Sequence, residues 1–340
     1  MKLLRMISLI LVVVSGLSAC TSENGGTTGG NPYSEDVSVS GASAQALGGA
    51  LSASASGGLQ ASYQMQPASQ QKTTVATSLQ NLLWSKAWAA GLCPTFLTAA
   101  GPSCSASGSA MTLVYDSCSF GSSVTSWEGR KQLTMSAGAA ACGTFPHPGA
   151  GGSLYRQFVN AAATSPGVMQ ITSAYGTLAL IDHVTANLSN FDGAAIPTIT
   201  NGGYGMKVDF DGSGARSAVT IAERVRVIGA YDHSIHGSLT ITETSGASSR
   251  TANGTVDVYL NIAEVIGTSV FTNVVHSDMC CQPTSGSITT TFAAGSSPPT
   301  TAIGLLMVGQ SETLTFTGCG TANLVAFDGS TKQVRLSRCF

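Results

Sequence analysis

The chain has 340 residues, a formal net charge of -2, and 9% charged residues against 43% hydrophobic ones. With so few cations and no Lys/Arg cluster, phosphate attraction has no source, and no nucleic-acid partner is expected. G-x-S-x-G, H-E-x-x-H and Walker patterns do not occur, so the common hydrolase, zincin and NTPase signatures are missing.

Residues 1–19 read as an export signal: Lys2 and Arg5 lead, an apolar run from Ile7 to Val14 follows, and small residues close it. That run is too short to span a bilayer as a mature helix. Leu17-Ser18-Ala19-Cys20 matches a lipobox, so the N-terminal region resembles that of bacterial lipoproteins. The resemblance implies cleavage before Cys20, a diacylglyceryl group on its sulfur and acylation of the new amine. Thr21 rather than Asp after that cysteine implies sorting to the outer membrane. Lipoproteins share no common fold, so the resemblance implies an anchor and a location only. Residues 20–43 are mostly Gly, Thr, Ser and Asn, a flexible tether with a reach of about 25 Å.

Residues 44–92 form a helical segment whose first part, Ala44 to Gln66, is a weak helix or continued linker. Ala68 to Ala90 is stronger: Val75, Leu79, Leu82 and Leu83 recur at helical spacing, Trp84 and Trp88 lie four apart, Pro67 opens the run and Gly91 closes it. One amphipathic helix packed on a sheet is expected.

From residue 93 to residue 340 the pattern changes to alternation. Leu239 and Ile241 alternate with Ser238, Thr240 and Thr242, and Val256, Val258, Leu260 and Ile262 alternate with Thr255, Asp257, Tyr259 and Asn261. A period of two marks strands with one buried face. Gly176, Gly237, Gly254 and Gly286, each followed by Ser or Thr, are expected to open strands. The expected fold is mainly β: an antiparallel, hairpin-built sandwich or partly closed barrel with one N-terminal amphipathic helix. A membrane-spanning barrel fits less well, because Lys332 and Arg338 share a face with Val334 and Leu336, and a cation at lipid depth is costly.

An internal repeat organises this region. Residues 313–337 and 177–201 align without a gap, TANLVAFDG against TANLSNFDG, and residues 112–136 are a more diverged copy. Each is expected to be a hairpin turning at Phe327-Asp328-Gly329, Phe191-Asp192-Gly193 or Trp127-Glu128-Gly129, because Asp-Gly supplies the positive φ of a primed turn.

Of nine cysteines, eight remain once Cys20 is set aside. An even set in an exported chain points to disulfides and an oxidising compartment. Placement across the expected turns pairs Cys118 with Cys142 and Cys319 with Cys339, leaving Cys93, Cys104, Cys280 and Cys281 unassigned. The middle copy has His183 where the others have cysteine, as after loss of a disulfide.

Three groupings could carry chemistry. Asp209, Asp211 and Ser213, with Gly214 at the sixth position, resemble half of a calcium loop, but the twelfth position is Thr220 rather than Glu. With half the ligand set missing, a plain hairpin turn is the expectation and no cofactor is expected, calcium being the alternative. His233 and His236 invite a metal reading, although residues three apart on a strand face opposite sides. A glycosidase-like carboxylate pair would have to come from Asp209, Asp211, Glu223 and Asp257.

The function expected from these features is a lipid-anchored, non-enzymatic envelope module presenting a Thr/Ser-rich sheet to a protein or glycan partner. A carrier would instead show an apolar cavity under the Leu79 to Trp88 helix, and a hydrolase would show a cleft with converging carboxylates or histidines.

Overall fold

The computed structural model describes residues 93–94, 103–119, 125–144, 146–173, 178–184, 190–193, 196–199, 204–227, 231–244, 247–277, 280 and 283–335. The expected signal segment, Cys20, the tether, the helical segment, Cys281 and Cys339 lie outside the described residues. No helix among the described residues is long and apolar enough to cross a membrane.

The fold is mainly antiparallel β, built as one sheet of 15 strands. In chain order these are β1 (Cys104–Ser107), β2 (Ala110–Cys118), β3 (Thr125–Met135), β4 (Ser153–Val159), β5 (Val168–Ser173), β6 (Leu178–Asp182), β7 (Gly205–Phe210) and β8 (Arg216–Val227), then β9 (Tyr231–Glu243), β10 (Ser249–Leu260), β11 (Val265–Ser277), β12 (Pro283–Ala294), β13 (Ser311–Gly318), β14 (Thr321–Val325) and β15 (Thr331–Arg335). Among the described residues one short helix, α1 (Ala302–Met307), occurs, and it joins β12 to β13. The alternation seen in the sequence has a direct counterpart: Val256, Val258 and Leu260 of β10 are buried, while Asp257 and Tyr259 look outward. Ladder partners carry this face across the sheet, from Leu133 opposite Met111 to Leu314 opposite Ile288 and Leu324. The sheet is partly ringed, and its inner face buries Leu113, Leu133, Ile235 and Ile288 completely or nearly so.

The ring arises because the sheet forks. One edge of β3 pairs with β2 from Trp127 to Thr134. Its other edge is shared, with Arg130–Met135 pairing β4 and Thr125–Glu128 pairing β5. The strand β8 is divided in the same way: β9 covers one edge, while Arg216–Ala222 pairs β7 and Arg224–Val227 pairs β6. The ribbons β4–β7 and β5–β6 thus bridge the same two strands, closing a ring of β3, β4, β7, β8, β6 and β5. Gly129 sits at the fork in β3 with φ +144°, where an added Cβ would lie 2.9 Å from the Val168 carbonyl oxygen. Any side chain there would push the ribbons apart.

The repeat is real, but its unit differs from the expected hairpin. In the last copy β13, β14 and β15 form a three-stranded meander, with Leu314 opposite Leu324 and Ala322 opposite Val334. The Phe327-Asp328-Gly329 turn closes by Gly329 N–H donating to the Ala326 carbonyl at 2.9 Å, and only Gly329 has positive φ, at +79°. This is a type I turn completed by a left-handed glycine rather than a primed two-residue turn. The middle copy repeats it: Gly193 donates to Asn190 at 3.0 Å with φ +74°. There residues 196–199, the counterpart of part of β15, belong to no strand: Pro197 stands where Gln333 makes its ladder pair with Asn323, and proline has no N–H to give. In the first copy Trp127-Glu128-Gly129 is not a turn at all, since β3 runs through it. Gly237, Gly254 and Gly286 likewise lie inside β9, β10 and β12 rather than at their starts, close against neighbouring backbone.

These changes re-pair the cysteines. The disulfides are Cys93–Cys118, Cys104–Cys142 and Cys280–Cys319, with Cα separations of 4.8, 6.0 and 5.8 Å. Cys118 cannot meet Cys142, because β3 carries the chain from Trp127, opposite Cys118, to the other end of the sheet. Cys319 lies in the turn between β13 and β14, next to the β11–β12 connection that contains Cys280, so it is not bonded to Cys339.

Candidate functional site

Two polar clusters stand out, one on each face of the sheet. The inner one occupies the fork. Glu223 is the single residue of β8 between the stretch paired with β7 and the stretch paired with β6. Its side chain is fully buried, and Arg156 of β4 donates through Nη2 to Oε2 at 3.1 Å. His183, immediately after β6, places Nε2 at 3.3 Å from the same oxygen. The Phe158 backbone N–H donates to His183 Nδ1 at 2.8 Å, which makes Nδ1 the acceptor and assigns the proton to Nε2. The imidazole is thus neutral, stacked on Phe158 at 4.7 Å, with the Arg156 guanidinium over the same ring. Burial holds its pKa below the usual histidine value, against the opposing pull of Glu223. Lys131, on the same inner face, is pushed down to about 7 by burial and by the charge of Arg156, and its ammonium lies 5.9 Å from the Tyr115 ring. This cluster braces the closure of the ring, because each ribbon supplies one partner to a carboxylate on the strand they share.

The outer cluster lies where β9 and β10 approach the β10–β11 connection. Tyr259 of β10 stacks with His236 of β9 at 5.4 Å, and Phe191 from the middle-copy turn packs at 6.2 Å on the same ring. Asn261 holds that turn: its Oδ1 accepts from Phe191 N–H at 3.0 Å, and its Nδ2 donates to Asp232 at 3.1 Å and to Ser234 at 3.3 Å. Asp232 is gripped through both oxygens by Arg224, and Asp182 accepts from Arg226 at 2.7 Å. Beside Tyr259, Asp257 accepts from Thr268 at 2.8 Å. Burial raises the Tyr259 phenol above its ordinary value, helped by the charges of Asp192 and Asp257. Burial lowers His236, and the charge of Asp257 opposes it. From β9 to β15 one outer row is uncharged, running Ser238, Thr255, Val270, Thr289, Thr313, Val325 and Thr331, and on the β7 side the same row continues through Thr220 to Lys207. The arrangement offers aromatic faces, carboxylate acceptors and hydroxyls on a rigid platform.

The sequence-selected residues fall as follows. His233 points inward, buried, with its pKa pushed down to about 4 by burial, while His236 is on the outer face. Asp211 caps its own turn, accepting at Oδ1 from Ser213 N–H at 2.8 Å, Ser213 Oγ at 2.6 Å and Ala215 N–H at 3.0 Å. Asp209 is held by Ser153 Oγ at 2.5 Å and Lys207 Nζ at 2.9 Å. Among the described residues no group of three His, Cys, Asp or Glu side chains is placed to hold a metal ion. Of the carboxylates weighed as a pair, Glu223 faces inward and Asp257 outward. Asp209 and Asp257 lie on strands three ladder steps apart, at least about 14 Å at the usual strand spacing, beyond glycosidase separations. Arg156 and Phe191 are not legible in the sequence as site residues, whereas His183 stands out there in two ways, as the replacement of a repeat cysteine and in an Asp-His pair that recurs at Asp232-His233. The chain matches no protein-family model, no curated protein and no solved structure, so the reading of its function rests on this geometry.

Proposed function

We propose that this is a lipid-anchored protein of the bacterial outer membrane, attached through Cys20, that acts as a non-enzymatic binding module for a neutral glycan. The lipobox-like Leu17-Ser18-Ala19-Cys20 supports the anchor and the location. The observation that carries the binding reading is the Phe191–Tyr259–His236 cluster, with Asp257 beside it, next to an outer row that runs through Ser238, Thr255, Thr289 and Thr313. Sugar rings present apolar C–H faces and hydroxyl edges; aromatic rings match the first, and carboxylate and amide oxygens match the second. The low charge of the chain disfavours strongly ionic partners. The reading is tested by titrating envelope polysaccharide fractions calorimetrically against the protein and its Tyr259→Ala variant. Binding that drops at least about tenfold in the variant supports it, and equal binding by both proteins overturns it. Cys20→Ser tests the anchor separately: release from the membrane fraction is expected, and unchanged retention overturns that part.

A further inference from the structure

One end of the sheet carries a concentration of exposed apolar side chains. Ile262, at the β10–β11 connection, is 55% exposed; Leu305 and Leu306 of α1 are 61% and 69% exposed, and Val308 just after it is 38% exposed. The two segments are joined. Thr301 caps α1 and donates its hydroxyl to the Ala263 carbonyl at 2.8 Å, while Glu264 accepts from the backbone and hydroxyl of Thr300. Met307 is fully buried beneath, so the helix is pinned while its two leucines face outward. Neither acidic residues in its first turn nor basic ones in its last turn interrupt the patch.

What covers this tip is indicated by where the described domain begins. Cys93 is tied to Cys118, the last residue of β2, and its N–H donates to Ser119 at 2.8 Å. Register places Cys118 opposite Trp127 near the start of β3, Thr125 opposite Ser173 at the end of β5, and Ala179 of β6 opposite Val227 at the end of β8. From there Val225 pairs His233, and His233 pairs Leu260, the last residue before the β10–β11 connection. Cys93, the first of the described residues, therefore lies at the same end of the sheet that bears Ile262, Leu305, Leu306 and Val308. We propose that this tip is a membrane-seating surface for the zwitterionic headgroup and upper acyl layer of a bilayer. It is a second contact that orients the domain, with α1 lying in the interface. It rests on the anchor reading for proximity to the membrane, but the tip's own affinity is separable from acylation. Seating it would bring Tyr259, three residues before Ile262, close to headgroup level.

The test uses residues 20–340 with Cys20→Ser, oxidised to form its disulfides, in flotation with phosphatidylcholine vesicles. Binding is expected, and Leu305→Ser/Leu306→Ser should weaken partitioning at least about tenfold, since each leucine loses most of its apolar burial. Val270→Ser, at an exposed position on the outer face, should leave partitioning unchanged. Thermal melting of the double variant should match the parent, because both leucines are exposed. A Leu305→Trp variant should shift its emission to the blue on vesicles. The proposal fails if the parent does not float, if the double variant floats equally well, or if Leu305→Trp shows no shift. It also fails if the parent self-associates without lipid and the double variant is monomeric, since a second copy would then cover the tip. Failure here with Cys20→Ser still released from cell membranes would leave the anchor reading standing.

Discussion

Replacing Glu223 with glutamine probes the closure of the ring. The substitution keeps the shape and an acceptor for His183 Nε2–H, but removes the carboxylate that pairs with Arg156 at a site where both side chains are at most 4% exposed. An arginine cannot shed its proton to escape, so its charge would remain buried without the Glu223 carboxylate. Breaking a buried pair from one side costs about 3–5 kcal/mol. For a domain of this size each kcal/mol lowers the melting temperature by about 2–4 °C, so a drop of roughly 6–20 °C is expected. Denaturant unfolding of the oxidised protein, followed by tryptophan fluorescence, gives the free energy directly. In a double-mutant cycle, Arg156→Met with Glu223→Leu should recover most of the loss, because two apolar groups of similar volume need no partner. A Glu223→Gln protein within about 1 kcal/mol of the parent would show that the ion pair does not brace the fork, and the account of the ring would have to be abandoned.

Acidification should unfold the domain in a defined window. His233 is held down to about 4 and His276 to about 3 by burial, and His183 is also lowered. Because the unfolded chain takes up these protons near pH 6.5 and the folded one does not, the stability they confer is complete above pH 6.5. It is lost as pH falls toward 3, by roughly 3 kcal/mol for His233 and 5 kcal/mol for His276; urea midpoints across this range that stay flat would contradict it. Lys131 has the same sign at the other end of the scale: with a folded value near 7 against 10.5, it disfavours folding below pH 7, and stability rises between pH 7 and 10.5. Lys131→Met should thus stabilise the protein at pH 7, by at most about 5 kcal/mol, and a lowered melting temperature would count against this reading. Replacing Cys104 and Cys142 together by Ser should cost about 4 kcal/mol and Cys93 with Cys118 about 3.5, from loops of 38 and 25 residues. Mass mapping of peptides under non-reducing conditions should recover the pair Cys118 with Cys93, and recovery with Cys142 would refute the topology.

Much of the fold was legible because its cause is local. Alternation at Val256, Val258 and Leu260 follows from the pleat of a single strand, so strand identity and the inward face needed no knowledge of partners. The repeat could be seen for the same reason, and so could the Asp-Gly turns at Gly193 and Gly329. At Trp127-Glu128-Gly129 the local signal misled, since a Gly after an acid fits a turn as well as it fits a fork where β5 presses on β3. The tryptophan, the ladder and the neighbouring ribbon decided which.

The sequence by itself determined the β class, which side of each strand is apolar, the low charge of the surface and the turn glycines, because side-chain alternation and backbone stereochemistry act within a few residues. Only the tertiary structure decided the disulfide partners and the forked ring. It also decided the meeting of Glu223 with Arg156 and His183, which lie 67 and 40 residues away in the chain, and the seating of Phe191 on Tyr259. Those depend on which strand edges pair across long loops, a choice set by closure of the whole sheet that no short stretch encodes.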